Sequence, residues 1–247
     1  KENSERVPGK NFIRLNHIPL WKNLIYELEG EDVYIDTDSE QILEECKTLS
    51  WVTAYPRKQE FIDFESNNSK NHSPVLLMIN NFLDNYVNNE DEIIVTPHVT
   101  SPFLKLDTIK KASKKLEEGY DSVNSVIEHR EFSYHKGIPI NFKKDVVQKT
   151  QDLEPIVMSN GAFFIFTKKI FKKHNNRVGT NPYFYTLPPI GYFLYHLLIK
   201  FILKTRNIDL INKFLKFKIF KICIRFFTPD DRYYLSNILN EYNDQKI

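Results

Sequence analysis

The sequence contains only two cysteines, Cys46 and Cys223, among 247 residues. Two distant cysteines form neither a disulfide framework nor a cysteine-rich metal knuckle, so a reducing, cytoplasmic environment is expected. Glycine is also scarce, with seven residues, which excludes collagen-like and glycine-linker sequences. The polar run at residues 1–6 predicts no secretory signal peptide at this end of the chain.

Hydrophobic residues make up 41% of the chain, which is enough for a sizeable core. Short apolar segments at 32–36, 92–96 and 162–166 are typical of strands, and they alternate with helical patterns at 19–28 and 75–86. This alternation predicts an α/β fold with a mostly parallel, covered sheet. In such sheets ligands collect in the loops beyond the carboxyl ends of the strands.

The charge distribution divides the chain near residue 188. Residues 188–247 carry ten Lys and Arg against five Asp and Glu, whereas the rest of the chain has a net charge of −3. We therefore predict a main domain over 1–187 and a basic, aromatic, helical tail over 188–247. Within the domain, residues 129–158 are predicted to form a β-rich excursion with a turn at 136–137.

Three interpretations of the tail stay open. Over residues 192–227 apolar and aromatic residues alternate with lysines, and the uninterrupted apolar stretch is shorter than the about 20 residues of a transmembrane helix. A basic amphipathic helix on an anionic membrane surface fits this pattern, and so does a helical appendage packed on the domain. The third interpretation is sequence replaced after a frameshift or truncation. No nucleic-acid recognition module accompanies the basic residues, so no nucleic-acid partner is expected.

A basic loop opens the chain. Lys1, Ser4, Arg6 and Lys10 lie close together on a loop that leads into a helix. Such a loop suits a polyphosphate, because lysines supply charge and backbone amides supply hydrogen-bond donors. A solvated basic loop would have the same composition, and the segment matches neither the Walker A nor the G-x-G-x-x-G pattern.

This opening segment, Lys1-x-Asn3-Ser4-x-Arg6-Val7-Pro8-Gly9-Lys10-Asn11, resembles the signature loop of the acylneuraminate cytidylyltransferases. Later segments resemble the same family in the same order, over roughly residues 1–185. They are Ile35-Asp36-Thr37-Asp38-Ser39, Pro56-Arg57, Thr100-Ser101-Pro102-Phe103, Asp121-Ser122-Val123-x-Ser125-Val126, Lys149-Thr150-Gln151-Asp152-Leu153-x-Pro155, Asn160-Gly161-Ala162 and Arg177-x-Gly179-x-Asn181-Pro182.

The resemblance implies a Rossmann-like sheet of the nucleotide-diphospho-sugar transferase type. It also implies that the excursion at 129–158 forms a homodimer contact. Relatives begin with an apolar strand that delivers the phosphate loop, and we expect this first strand to be missing from the domain. Losing a central strand would leave two neighbouring strands with unpaired backbone groups.

The reaction that the resemblance implies is nucleotidyl transfer. The anomeric hydroxyl of a sialic-acid-like nonulosonic acid attacks the α-phosphorus of CTP, and pyrophosphate leaves, normally with Mg²⁺. Lys10 and Arg57 would be the catalytic residues. The nucleotide-binding residues would be Lys1, Ser4, Arg6, Lys10, Asn11, Arg57, Thr100 and Ser101. The substrate-binding residues would be His98, Lys149, Gln151, Asn160 and Gly161.

Some of these residues also have a structural interpretation. Pro102 and Gly161 could set backbone geometry, and Asp36 or Asp38 could cap the following helix. The pair Asp121-Ser122 is better explained as the start of a strand than as a ligand contact.

The sequence departs from the family at three places. His98 stands where relatives usually have Gln, and Lys149 stands where they have Arg, which is not equivalent at a carboxylate-binding site. Relatives follow the Tyr185 region with an acidic motif that holds Mg²⁺. Here no carboxylate follows before the distant Asp209, so the metal ligands are unknown.

Two rival functions follow from these departures. The first is a catalytically impaired remnant that binds nucleotide or associates with a membrane. The second is a nucleotidyltransferase that acts on a sugar phosphate, whose sugar pocket would offer a basic phosphate clamp. A Kdo cytidylyltransferase fits the opening loop less well, and the sequence does not specify which nonulosonic acid would be used.

Overall fold

The computed structural model describes residues 9–15, 17–68 and 73–187, which belong to a compact unit that ends at Leu187. Lys1, Ser4, Arg6 and the tail lie outside the described residues. The helices are α1 (Leu20–Glu27), α2 (Glu40–Cys46), α3 (Gln59–Asn68), α4 (Val75–Tyr86), α5 (Leu106–Ser113) and α6 (Lys168–His174). The strands are β1 (Arg14–Leu15), β2 (Ile18–Pro19), β3 (Val33–Thr37), β4 (Val52–Pro56), β5 (Ile93–Pro97), β6 (Ser122–His129), β7 (Tyr134–His135), β8 (Ile138–Pro139), β9 (Ile156–Thr167) and β10 (Pro182–Thr186).

The largest sheet has four strands in the order β10-β6-β9-β5. Strand β10 is parallel to β6, and β9 is antiparallel to both β6 and β5. Three of the four strands therefore run in one direction and β9 runs in the other. Together with the parallel pair β3-β4, this confirms the predicted α/β fold with a mostly parallel sheet.

Strand β9 shows why this sheet is covered on both faces. Phe164 and Phe166 pack with α4 and α6, in a cluster that includes Leu83 and Phe171. Phe163 and Ile165 pack on the other face, in a cluster that includes Ile109 of α5, Val123 of β6 and Leu104. Successive side chains of a strand point to opposite faces, so an unbroken apolar run fits a strand buried on both sides.

The pair β3-β4 is joined to the rest of the domain through helices. On α4, the ring of Phe82 lies 5.0 Å from that of Tyr34 on β3, while Ile79 of the same helix packs in the cluster of Ile94 on β5. Within the described part of the chain, β3 pairs only with β4 and β5 pairs only with β9.

The excursion at 129–158 is built around a small hairpin. Strands β7 and β8 are joined by Lys136 and Gly137, whose φ angles of 48° and 80° are typical of a two-residue hairpin turn. At the base, Arg130 donates a hydrogen bond to the carbonyl oxygen of Leu153 at 2.9 Å. The turn predicted at 136–137 is therefore confirmed.

Candidate active site

A short 3₁₀ turn at Lys10–Phe12 carries the first of the predicted site residues that the structure describes. Gly9, with φ of 67°, begins this turn, and the amide of Phe12 donates to the carbonyl oxygen of Gly9 at 2.9 Å. Phe12 then packs against the cluster formed by α1, α2, β3 and β4, to which Val99 also contributes. This packing holds Lys10 and Asn11 beside the segment that follows β5.

Arg57 follows β4 and is nearly buried, with 7% of its side chain exposed. Its Nε donates to Oδ1 of Asp36 at 2.6 Å, and Nη2 donates to the carbonyl oxygen of Asp36 at 3.1 Å. The other carboxylate oxygen of Asp36, Oδ2, is buried without a hydrogen-bond partner. The structure thus engages the predicted phosphate ligand Arg57 in an ion pair within the protein.

His98 follows β5, and its amide donates to the carbonyl oxygen of Ala162 at 2.8 Å. Desolvation of the ring, together with the positive charges of Arg177 and Lys10, lowers the pKa of His98 from 6.5 to about 4, although the residue as a whole stays exposed to solvent. The imidazole is therefore neutral at physiological pH. Thr100 and Ser101 follow in a tight turn, in which the amide of Ser101 donates to the carbonyl oxygen of His98 at 2.9 Å.

A break in the regular pairing of β6 and β9 places Asn160 and Gly161 next to His98. Oδ1 of Asn160 accepts hydrogen bonds from Oγ of Ser125 at 2.7 Å and from the amide of Ala162 at 3.0 Å. Gly161 has φ of 65°, and a methyl group there would lie 3.9 Å from the ring of His98. The position favours glycine through its backbone angle, and such irregularities often occur beside functional sites.

Arg177 is a site residue to which the sequence analysis assigned no role. Its guanidinium lies 3.8 Å above the ring centroid of Phe164, and this ring lies 6.4 Å from that of His98. Burial lowers the pKa of Arg177, and its Nη1 is buried without a hydrogen-bond partner. Arg177 lies in the segment Arg177-x-Gly179-x-Asn181-Pro182, which resembles the family. The spacing of that segment did not predict the contact of Arg177 with Phe164.

The structure brings Lys10, His98, Gly161 and Arg177 into one neighbourhood. Lys149 and Gln151 lie on the excursion, where both side chains are exposed and form no hydrogen bond or ion pair within the described residues. Asp121, at the start of β6, accepts hydrogen bonds from the amides of Thr180 and Asn181. These contacts fit its interpretation as a structural residue at the start of a strand.

The described residues do not fit a magnesium site. Among residues 9–15, 17–68 and 73–187, no group of three or more His, Cys, Asp or Glu side chains is arranged to hold a metal ion. Asp36 is engaged by Arg57, and Asp209 lies outside the described residues.

The family model described as "Cytidylyltransferase" matches residues 2–186. The chain belongs to the cytidylyltransferase family. It is therefore related to transferases that use CTP.

Curated relatives of this cytidylyltransferase include the N-acylneuraminate cytidylyltransferases of Streptococcus agalactiae serotypes III, Ia and V. Each is 26% identical over 205 residues, which cover 76% of this chain and 46% of the relative. The chain thus spans about half the length of these curated relatives.

Solved structures similar to this chain include a 4-diphosphocytidyl-2C-methyl-D-erythritol synthase, with 7% identity and a TM-score of 0.48. The match covers 76% of this chain and 94% of the synthase. Another is a CMP:2-keto-3-deoxy-manno-octonic acid synthetase complexed with CTP, with 9% identity and a TM-score of 0.47, covering 70% and 73%. In the part of the cytidylyltransferase that the structure describes, none of the helices has the length and apolar character needed to cross a bilayer.

Proposed function

We propose that this cytidylyltransferase transfers CMP from CTP to a sialic-acid-like nonulosonic acid. The anomeric hydroxyl of the sugar forms a bond to the α-phosphorus of CTP, the bond to the β-phosphate breaks, and pyrophosphate leaves. The observation that carries the proposal is the convergence of Lys10, His98 and Arg177, which offers positive charge to the oxyanions of both substrates. The S. agalactiae relatives, named N-acylneuraminate cytidylyltransferases, support the choice of sugar.

The arrangement suits this chemistry because the substrate itself supplies the nucleophile. Catalysis of phosphoryl transfer rests mainly on positioning and on neutralising charge that develops on the phosphate oxygens. Lys10 supplies a positive charge from the turn at Lys10–Phe12, and Arg177 supplies a second one from the loop that follows α6. His98, whose pKa is lowered by desolvation and by these two cations, supplies a ring nitrogen for a hydrogen bond to substrate.

The test is release of pyrophosphate from CTP by the full chain, with Mg²⁺ present and a panel of nonulosonic acids. We expect turnover with at least one acid and a fall in kcat/KM of at least about tenfold in Lys10→Ala, because a phosphate contact is lost. Lys144→Ala, an exposed lysine of the excursion, is the matched control. Absence of pyrophosphate release with every acid would sink the proposal.

A binding-only function is the second candidate, because the described residues form no metal-binding group. It is supported if the full chain binds CTP, as measured by calorimetry, but releases no pyrophosphate with any acid. The association with a membrane through residues 192–227 stays a prediction, because these residues lie outside the described part of the chain.

We further propose that the excursion mediates a homodimer. Its exposed large apolar side chains include Tyr134, Ile138, Ile140, Val146 and Val147, and Val147 is fully exposed. Large exposed apolar patches mark interaction surfaces in soluble proteins. A second copy of the chain would bury them.

A further inference from the structure

Arg177 is held in place by the aromatic ring beneath it. Its guanidinium carbon lies 3.8 Å from the ring centroid of Phe164, which is itself buried at 8% exposure between β5 and β6. At this distance the planar cation stacks on the ring, an arrangement that arginine makes better than lysine. The contact fixes the position of the guanidinium carbon over the ring.

The residues that follow Arg177 are fastened to the domain. Val178 packs against the core cluster of Phe164 and Phe171. The amide of Gly179 donates to Oγ of Ser122 at 2.9 Å, and the amides of Thr180 and Asn181 donate to the carboxylate of Asp121 at 2.7 and 2.9 Å. The guanidinium is therefore presented by a preorganised loop, as binding sites require.

The surroundings of Arg177 contain positive charge but no counter-ion. Arg177 forms no ion pair with any residue that the structure describes, and its Nη1 is buried without a hydrogen-bond partner. The charged groups that act on neighbouring His98 are Arg177 itself and Lys10. Burying a cation without a partner lowers stability, so this arrangement favours an anion from outside the protein.

We propose that Arg177 binds a substrate oxyanion, either a phosphate of CTP or the carboxylate of the acid sugar. The proposal deepens the proposed function and rests on it for the identity of the two ligands. Both ligands present planar or forked oxygen atoms that a guanidinium contacts with paired hydrogen bonds. Lys10 and Arg177 are both near enough to His98 to lower its pKa, so a second cation lies in the same neighbourhood.

Calorimetric titration of the full chain with pyrophosphate, CTP and N-acetylneuraminate tests the proposal. The variants are Arg177→Met, which keeps an apolar contact with Phe164, and Arg177→Lys, which keeps the charge without the fork. Lys173→Met, an exposed cation four residues earlier, is the matched control. For Arg177→Met we expect at least about a tenfold loss of affinity for the ligand concerned, with Lys173→Met unchanged and Arg177→Lys in between.

The pattern of loss identifies the oxyanion. Weaker binding of both pyrophosphate and CTP assigns Arg177 to the phosphates, whereas weaker binding of the sugar alone assigns it to the carboxylate. Ring resonances of His98 should shift on addition of the same ligand, which locates the ligand at this site. Arg177→Met should unfold at the same or a higher urea concentration, because it removes an unpaired buried charge.

Two results would overturn the proposal. One is unchanged affinity of Arg177→Met for all three ligands, which would make the stack on Phe164 purely structural. The other is a native chain that binds none of them. Failure of the proposed function gives a different result. In that case the chain shows no turnover, but it still binds pyrophosphate and this binding is weakened by Arg177→Met.

Discussion

Among single residues, Gly179 is constrained by the carboxylate of Asp121. A methyl group at Gly179 would lie 2.4 Å from Cγ of Asp121, so one of the two groups must move. We expect Gly179→Ala to lower the free energy of unfolding by about 1–3 kcal/mol, measured by urea denaturation. In an Asp121→Ala background the same change should cost clearly less. Equal costs in the two backgrounds would contradict the steric explanation.

His98 gives a residue-scale prediction for pH. Its pKa falls from 6.5 in the unfolded chain to about 4 in the folded one, mainly through desolvation of the ring. Between these values the unfolded state binds more protons, so stability is highest above 6.5 and is lost as the pH falls toward 4. Because His98 is partly exposed and solvent screens its interactions, the loss from about pH 7 to about pH 5 should stay below about 1 kcal/mol, measured by urea denaturation.

The contribution of His98 can be isolated by substitution. His98→Gln carries an uncharged side chain at all pH values, so the loss of stability on acidification should become smaller. His135→Gln, an exposed histidine on β7, should leave the pH dependence unchanged. The assignment is wrong if the two variants respond to pH identically.

At the scale of elements, β3 and β4 form a sheet of only two strands among the residues that the structure describes, so each has fewer hydrogen-bonded neighbours than the inner strands of the four-stranded sheet. They pair with each other, and side chains of α1 and α4 connect them to the remainder. Local opening requires less free energy where fewer hydrogen-bonded neighbours hold a unit. We expect amides of 33–37 and 52–56 to exchange with deuterium faster than those of 122–127 and 162–166, measured by mass spectrometry. Equal protection of both sets would show that the two sheets open together.

Helices and strands with strong apolar patterns could be predicted from the sequence. The helix at 75–86 agrees with α4 in full, because Leu76, Ile79 and Leu83 repeat at helical spacing. Strand β4 and helix α3 were not predicted. Residues 52–56 offer little hydrophobic alternation, and they form a strand because β3 supplies their backbone partners.

The candidate site was predictable only in part. Resemblance in sequence indicated Lys10, His98 and Gly161, which the structure brings together. It also predicted that Arg57 contacts phosphate or the CMP moiety, which stays a prediction; the ion pair of Arg57 with Asp36 at 2.6 Å was not predicted. The role of Arg177 depends on Phe164, thirteen residues earlier on a different element, and such a tertiary stack leaves no periodic signal in the sequence.

For the whole molecule, the distribution of exposed apolar side chains sets the expected assembly. Ile138 is 69% exposed on the hairpin of the excursion, whereas Leu77 is 49% exposed on α4, far from it in sequence. We expect the full chain to sediment as a dimer whose dissociation depends on concentration. A charged side chain is unfavourable where an apolar one would be buried at an interface. Ile138→Asp should therefore raise the dissociation constant of the dimer by at least about tenfold.

Leu77→Asp serves as the control for this assembly, because it adds the same charge outside the excursion. It should leave the dissociation constant unchanged. Far-ultraviolet circular dichroism of both variants checks that each is folded. If Leu77→Asp and Ile138→Asp dissociate the dimer equally, or if the native chain is monomeric at every concentration, the excursion is not the contact. Its exposed apolar side chains would then need no partner, because single hydrophobic side chains are common on the surfaces of monomers.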